Sequence, residues 1–303
     1  MHSMLRSIFT SRKQNYIFPT VDPEEDGPDC FKDCASCTVK FPSKVKVETS
    51  APLYGHLKAF GAQVLIATGK TDWTRKIEEE HGSLAEALDA SSSKSSQGVC
   101  SPFQEEDVLL TDRSTQKLLI SASNLEPYED NGDGATTVLI LPSFTFVDSV
   151  TPGNASELIE RFVNSPPRES SDPKSQLTSR PCPHDYVFLL CSHKHRDARC
   201  GLTAPLIKKE LERHLRPLGL YRDMDDLRPG GTGIYFVSHV GGHKFSANLL
   251  IYRRREQQMI WLARVRPEHC EGIVKYTMLE GKVVHPDSQL RGGFDRARGL
   301  TSW

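Results

Sequence analysis

Short apolar runs bounded by turn residues punctuate the second half of the chain: Tyr186 to Leu190 (YVFLL), Ile234 to Val237 (IYFV), Asn248 to Tyr252 (NLLIY) and Met259 to Val265 (MIWLARV). Such runs predict buried strands. Between the first two, Thr203 to Arg216 carries Ile207, Leu211 and Leu215 at four-residue spacing behind a Thr cap and an early Pro, which predicts an amphipathic helix. Glu212 and Arg216 form an oriented pair one turn apart on its polar side, and Pro217 with Gly219 ends it. A strand, a crossover helix and a second strand make a right-handed βαβ unit, which sets the two strands parallel. The charged turn RRREQQ joins the last two runs as a hairpin, and a final helix is expected from about Pro267 to Leu279.

The first half is patterned more weakly. Ala62 to Ala67 followed by Asp72 to Leu88 predicts a strand and then a helix, while Lys117 to Ser121 and Thr137 to Leu141 predict further strands. The Ser-rich stretch Ala90 to Gln97 has a composition that favours disorder over core. The Pro, Ser and charge-rich stretch Asn164 to Pro183 is the best linker. The expected division is a tail over 1–50, a small α/β domain over 51–163, a linker over 164–183 and a second α/β domain over 184–303.

Composition narrows the function classes. The formal net charge of the 303 residues is -1, so no basic field argues for nucleic acid, and Arg253 to Glu256 is a solvated turn. Nothing approaches eighteen uninterrupted apolar residues, so no membrane span is expected. Eight cysteines without a secretory signal favour a reducing compartment, with free or metal-bound thiols. Neither a P-loop nor a dinucleotide fingerprint is present, and GGTG at Gly230 to Gly233 precedes a strand instead of a helix.

The strongest chemical signal is Cys191 and Cys200 in CSHKHRDARC, followed by His239 and His243 in HVGGHK. Each pair falls just after a predicted strand, so parallel strands bring all four to one carboxyl edge, where open α/β sheets place their sites. Two thiols and two imidazoles suit a metal. The cysteine spacing is too long for a usual structural zinc site, and two glycines in HVGGH oppose a helical histidine pair. A [2Fe-2S] cluster with thiolates on one iron and imidazoles on the other suits the arrangement, with zinc or a free thiol pair as the alternatives. His193 and His195 lie inside the cysteine loop as exposed or supporting groups, and Lys194, Arg196 and Arg199 supply positive charge that favours thiolates.

The segments CSHKHRDARCGLTAPLIKKEL, HLRPLGLYRD, VSHVGGHKFSANLLIY and IWLARVRPE resemble the sucrase/ferredoxin-like family of thioredoxin-like ferredoxins. The likeness is close over Pro181 to Pro267, weaker at Val138 to Asp148 and at Ser302 and Trp303, and strongest to a fungal branch connected with actin patch distribution. A mitochondrial-inheritance branch shares the HxGGH core. The resemblance implies a [2Fe-2S] cluster held by Cys191, Cys200, His239 and His243, and a role as electron carrier with an unknown reductase and acceptor. Strand, helix, strand, hairpin, helix is the order of a thioredoxin-like core. Thioredoxins carry C-x-x-C after the first strand where this chain has C-x8-C, so a dithiol oxidoreductase using Cys191 and Cys200 is the alternative, and a zinc-bearing adaptor a third.

The remaining cysteines and the two ends carry less. Cys30, Cys34 and Cys37 have the spacing of four-iron radical enzymes, but no strand precedes them and Ser36 stands where an aromatic is usual, so an unstructured thiol cluster is expected. Cys100, Cys182 and Cys270 have no partner pattern. Met1 to Val21 lacks acids before Asp22 and resembles a mitochondrial presequence. The terminal Ser302 and Trp303 resemble the signal read by the cytosolic iron-sulfur targeting machinery, and the expected location is the cytoplasm, with mitochondria as the alternative.

Overall fold

Most of the apolar runs form strands where the pattern placed them. The computed structural model describes residues 15–95, 117–128, 134–164 and 175–303. In the first half the strands are β1 (Ala62–Ala67), β2 (Leu118–Ser123), β3 (Thr136–Leu141), β4 (Thr145–Val150) and β5 (Thr178–Pro181). In the second half they are β6 (Tyr186–Cys191), β7 (Tyr221–Arg222), β8 (Thr232–Val237), β9 (Leu249–Arg253), β10 (Gln258–Leu262), β11 (Leu290–Asp295) and β12 (Leu300–Thr301). All join one mixed α/β sheet in the order β12-β11-β10-β9-β6-β8-β2-β1-β3-β4-β5, with β7 beside β8.

The register places the site. β6 and β8 are parallel neighbours, from Tyr186 opposite Thr232 to Cys191 opposite Val237, so both chains leave the sheet at the same edge. β9 runs antiparallel on the other side of β6 and turns back into β10. The crossover helix between β6 and β8 covers Ala198–Leu215 and starts before Thr203, because the Asp197 carboxylate accepts the Arg199 N–H at 2.9 Å and caps it. Cys200 thereby sits in the first turn and Pro205 lies inside the helix. Ile207, Leu211 and Leu215 are fully buried against Phe188 and Leu190, as their spacing requires.

Three other segments depart from the pattern. Asp72 to Lys76 is irregular and Ile77–Glu79 is one 3-10 turn; the helix comes later, over Leu84–Ser95, where the Ser83 hydroxyl accepts the Glu86 N–H. That helix runs through the Ser-rich stretch as far as Ser95, with the Ser92 and Ser93 hydroxyls donating back to the Asp89 carbonyl; Gln97 and Cys100 lie outside the described residues. The last helical segment is a 3-10 turn at Pro267–His269, an α-turn at Cys270–Gly272 and a π-helical stretch at Ile273–Met278.

One core crosses the two halves of the sheet. Leu65 and Leu139 share a buried cluster with Leu189, Tyr252 and Trp261, and the Tyr252 hydroxyl donates to Gln63 Oε1 at 2.7 Å. The halves meet where β2 touches β8 at Ser123 and Val237, and Asn124 Oδ1 accepts the Phe236 N–H at 2.7 Å. The described part of the N-terminal segment is folded onto this body: Phe18 is 2% exposed in the second core, and Thr20 bridges to Val283. Among the described residues no helix is long and apolar enough to cross a membrane.

Candidate functional site

Cys191 is the last residue of β6 and Cys200 lies in the first turn of the crossover helix; they are 2% and 1% exposed. His239 follows β8 and is half-buried, while His243 opens the turn His243–Phe245 and is exposed. Between them Gly241 and Gly242 take φ of +101° and +69°, conformations that favour glycine, and the loop folds back on itself. The two imidazole rings end 5.2 Å apart between centroids.

The thiols behave as a pair. Donation from the Cys200 thiol holds Cys191 well below its usual range; burial opposes this and His239 adds to it. The same pairing, together with burial, pushes the Cys200 thiol up. The two thiols titrate as a coupled pair, with Cys191 the more acidic member and Cys200 the less. Burial of part of its ring lowers His243, and His239 beside it acts in the same direction.

The flanking residues support this constellation without joining it. His193 is buried; its Nδ1 accepts the His239 backbone N–H at 3.1 Å, so its Nε2 carries the proton and donates to the Trp73 carbonyl at 3.0 Å. Both ring nitrogens are spent. His195 is exposed and paired with Asp72 at 2.6 Å. The leading causes that lower Cys191 are Cys200 and His239, while Arg199 interacts Coulombically with Cys200. Arg199 is neutralised by Asp197 at 2.6 Å and serves as a clip, donating to the Lys46 and His243 carbonyls.

The pattern of runs gave no sign of Asn248 as a site residue. Its carbonyl accepts the Cys191 N–H, its Nδ2 donates to the Gly242 carbonyl, and its Oδ1 accepts from Trp261 Nε1 and Arg291 Nη1. It ties the histidine loop to the end of β6. A polar amide opening an otherwise apolar run was the available signal.

The Nδ1 of His239 is buried without a hydrogen-bond partner, and such orphans are rare unless something outside the chain satisfies them. Two sulfurs, one of them held well below its usual range, and two imidazoles fit a centre that takes sulfur on one side and nitrogen on the other.

Cys191, Cys200, His239 and His243 do not form a group whose ligand atoms all lie within 4.8 Å of one another; among the described residues two groups that do lie elsewhere. Asp33, His269 and His285 bring ligand atoms together, but His269 Nδ1 accepts the Arg266 N–H at 2.9 Å, which leaves a proton on the Nε2 facing Asp33. Cys34, His214 and Glu271 also converge, yet the Arg213 guanidinium reaches both the Cys34 sulfur at 3.4 Å and His214 Nε2 at 3.0 Å, a fixed cation where a metal would sit. The expected unstructured cluster is therefore corrected: Cys30 and Cys34 are buried, and the Cys34 N–H donates to the Glu268 carbonyl, because this segment packs on the crossover helix. Cys182 and Cys270 are buried packing residues.

The family model described as Sucrase/ferredoxin-like matches residues 53–292. Actin patches distal protein 1 of Saccharomyces cerevisiae is 32% identical over 247 residues, 78% of this chain and 75% of that protein. Altered inheritance of mitochondria protein 32 of Clavispora lusitaniae is 40% identical over 101 residues, 33% of each chain, and that of Debaryomyces hansenii is 34% identical over 99 residues. The match to these mitochondrial-inheritance proteins thus spans about a third of their length. No solved structure matches the chain.

Proposed function

The chain belongs to the sucrase/ferredoxin-like family, and from that footing we propose that it is an electron-transfer protein holding a [2Fe-2S] cluster. Cys191 and Cys200 hold one iron and His239 and His243 the other. The observation that carries this reading is the orphaned, buried Nδ1 of His239 beside a thiol pair of which Cys191 is held well below its usual range. When bound, such a cluster accepts and returns one electron, at a potential raised by replacing two thiolates with neutral imidazoles. The residues of this chain divide the remaining work. The buried thiols keep water from one side, the exposed His243 gives the site its contact with solvent and a place to exchange a proton, and His193 and Asn248 fix the loop that carries the histidines.

The role is that of a carrier more than a stand-alone enzyme, with a reductase as donor and a separate acceptor. The relative named for actin patches supports a place in the cytoplasm, and the mitochondrial-inheritance relatives support the alternative. Anaerobic purification with iron and sulfide analysis and EPR of the reduced protein tests the proposal. Two irons and two sulfides per chain are expected, lost in Cys191→Ser or Cys200→Ser. Stoichiometric zinc, or no metal in protein never exposed to oxygen, would sink it.

A thiol oxidoreductase is favoured by one specific observation, the hydrogen bond from Cys200 that makes Cys191 the more acidic of two adjoining thiols. His243→Cys separates the readings. A cluster protein keeps its cofactor with a changed spectrum and potential, whereas a dithiol enzyme is unaffected.

A further inference from the structure

A cavity of about 470 Å³ opens beside the histidine loop, lined by Val240, Gly241 and Gly242 on one side. Its other walls come from distant parts of the chain. Phe60, Phe245 and Trp261 supply aromatic surface, and Lys58, Lys117, Lys244 and Arg291 supply positive charge; among the described residues no aspartate or glutamate lines it. A volume of that size, mostly apolar with a few convergent polar groups, is typical of a small-molecule site.

Arg291 gives the cavity its chemistry. It is 4% exposed, its guanidinium lies 4.6 Å from the Trp261 ring, and its Nη1 donates to the Gly241 carbonyl and to Asn248 Oδ1. Its Nε is buried without a partner, and among the described residues no carboxylate pairs with it. A buried cation that lacks an anion is costly, and burial alone pulls this guanidinium down to about 10. Stacking on Trp261 and bonds to the loop explain why an arginine packs here. They do not explain why three lysines line the same cavity with no acid among the described lining residues.

We propose that this cavity binds a small anionic aromatic molecule, its ring against Trp261 and Phe60 and its acid group toward Arg291. An aromatic face suits those two walls, and a carboxylate or sulfonate supplies the missing charge and a bidentate partner for a guanidinium. The ligand lies against the loop that joins His239 to His243. Binding is independent of the proposed cluster; what the ligand does there rests on that reading.

The test is calorimetric titration of the full chain with 2-naphthoate and with its neutral counterpart 2-naphthylmethanol. Saturable one-to-one binding of naphthoate is expected, at least tenfold tighter than the alcohol. The double substitution Lys58→Glu with Lys117→Glu, both exposed at the cavity lining, should weaken naphthoate at least tenfold and leave the alcohol unchanged. Arg291→Met should abolish the preference for the anion, and the lysine pair keeps the test open if that variant does not fold. No saturable binding, equal affinity for the two compounds, or naphthoate affinity untouched by the lysine reversals would overturn the proposal. Iron content and visible absorption are read on the same samples, so loss of the cluster reading and loss of this one are separately visible.

Discussion

At the scale of single residues, two positions have measurable consequences. A Cβ on Gly242 would stand 2.6 Å from the Arg291 guanidinium, and the φ of +69° disfavours any side chain there. Gly242→Ala is expected to lower the unfolding free energy by about 1–3 kcal/mol, read by urea denaturation. An unchanged midpoint would mean that Arg291 simply moves aside. His184 makes a pH-dependent contribution. Burial, with Arg222 adding to it, pulls its imidazole down to about 4. The unfolded chain therefore takes up a proton near pH ~6.5 that the folded chain refuses until pH falls to about 4. The stability is complete above the unfolded value and is lost as pH falls through that window, by about 2 kcal/mol between pH 7 and pH 5. His184→Gln should show a shallower loss over the same range, and an identical slope would remove His184 from the account. The four candidate residues could be picked out in the sequence because the first of each pair, Cys191 and His239, lies at or just past the end of a strand whose apolar run is unmistakable. Arg291 could not, since its partners Gly241, Asn248 and Trp261 lie far from it along the chain and only packing brings them together.

At the scale of elements, the crossover helix shows how a local signal can be outvoted. Thr203 with Pro205 is a plausible start, but Asp197 offers a carboxylate six residues earlier, and taking it draws Cys200 into the helix. Asp197→Ala removes the cap and also frees Arg199 from its hold on the His243 carbonyl. A loss of about 1 kcal/mol is expected from the cap, seen by thermal or urea unfolding, together with weaker retention of the proposed cluster in the folded protein. Full retention would show that the Arg199 clip is dispensable. β1 was legible residue for residue because nothing interrupts Ala62–Ala67. β11 was not, because Gly292 and Gly293 give no alternation to read; a Cβ at Gly293 would meet the Met259 carbonyl oxygen of the neighbouring strand.

At the scale of the whole molecule, the sheet runs without a break from one half of the chain to the other. A fragment of residues 184–303 would lose Leu65 and Leu139 from its core, strip the Tyr252 hydroxyl of Gln63, and uncover the side of β8. Its denaturation midpoint should fall clearly below that of the full chain in matched urea titrations. Equal midpoints would mean that the shared core adds nothing. Composition gave an expected linker between the halves but no sign of their joining, because the direct strand pairing at the seam is one contact at Ser123 and Val237 and the core that spans it is built by packing between residues far apart along the chain. The two outermost strands of this wide sheet are the shortest kind: β12 is two residues long, and β5 is four and ends in Pro181, which has no N–H to offer. The margins therefore give a second copy's backbone almost nothing to extend, so crowded molecules lack the template on which fibres grow.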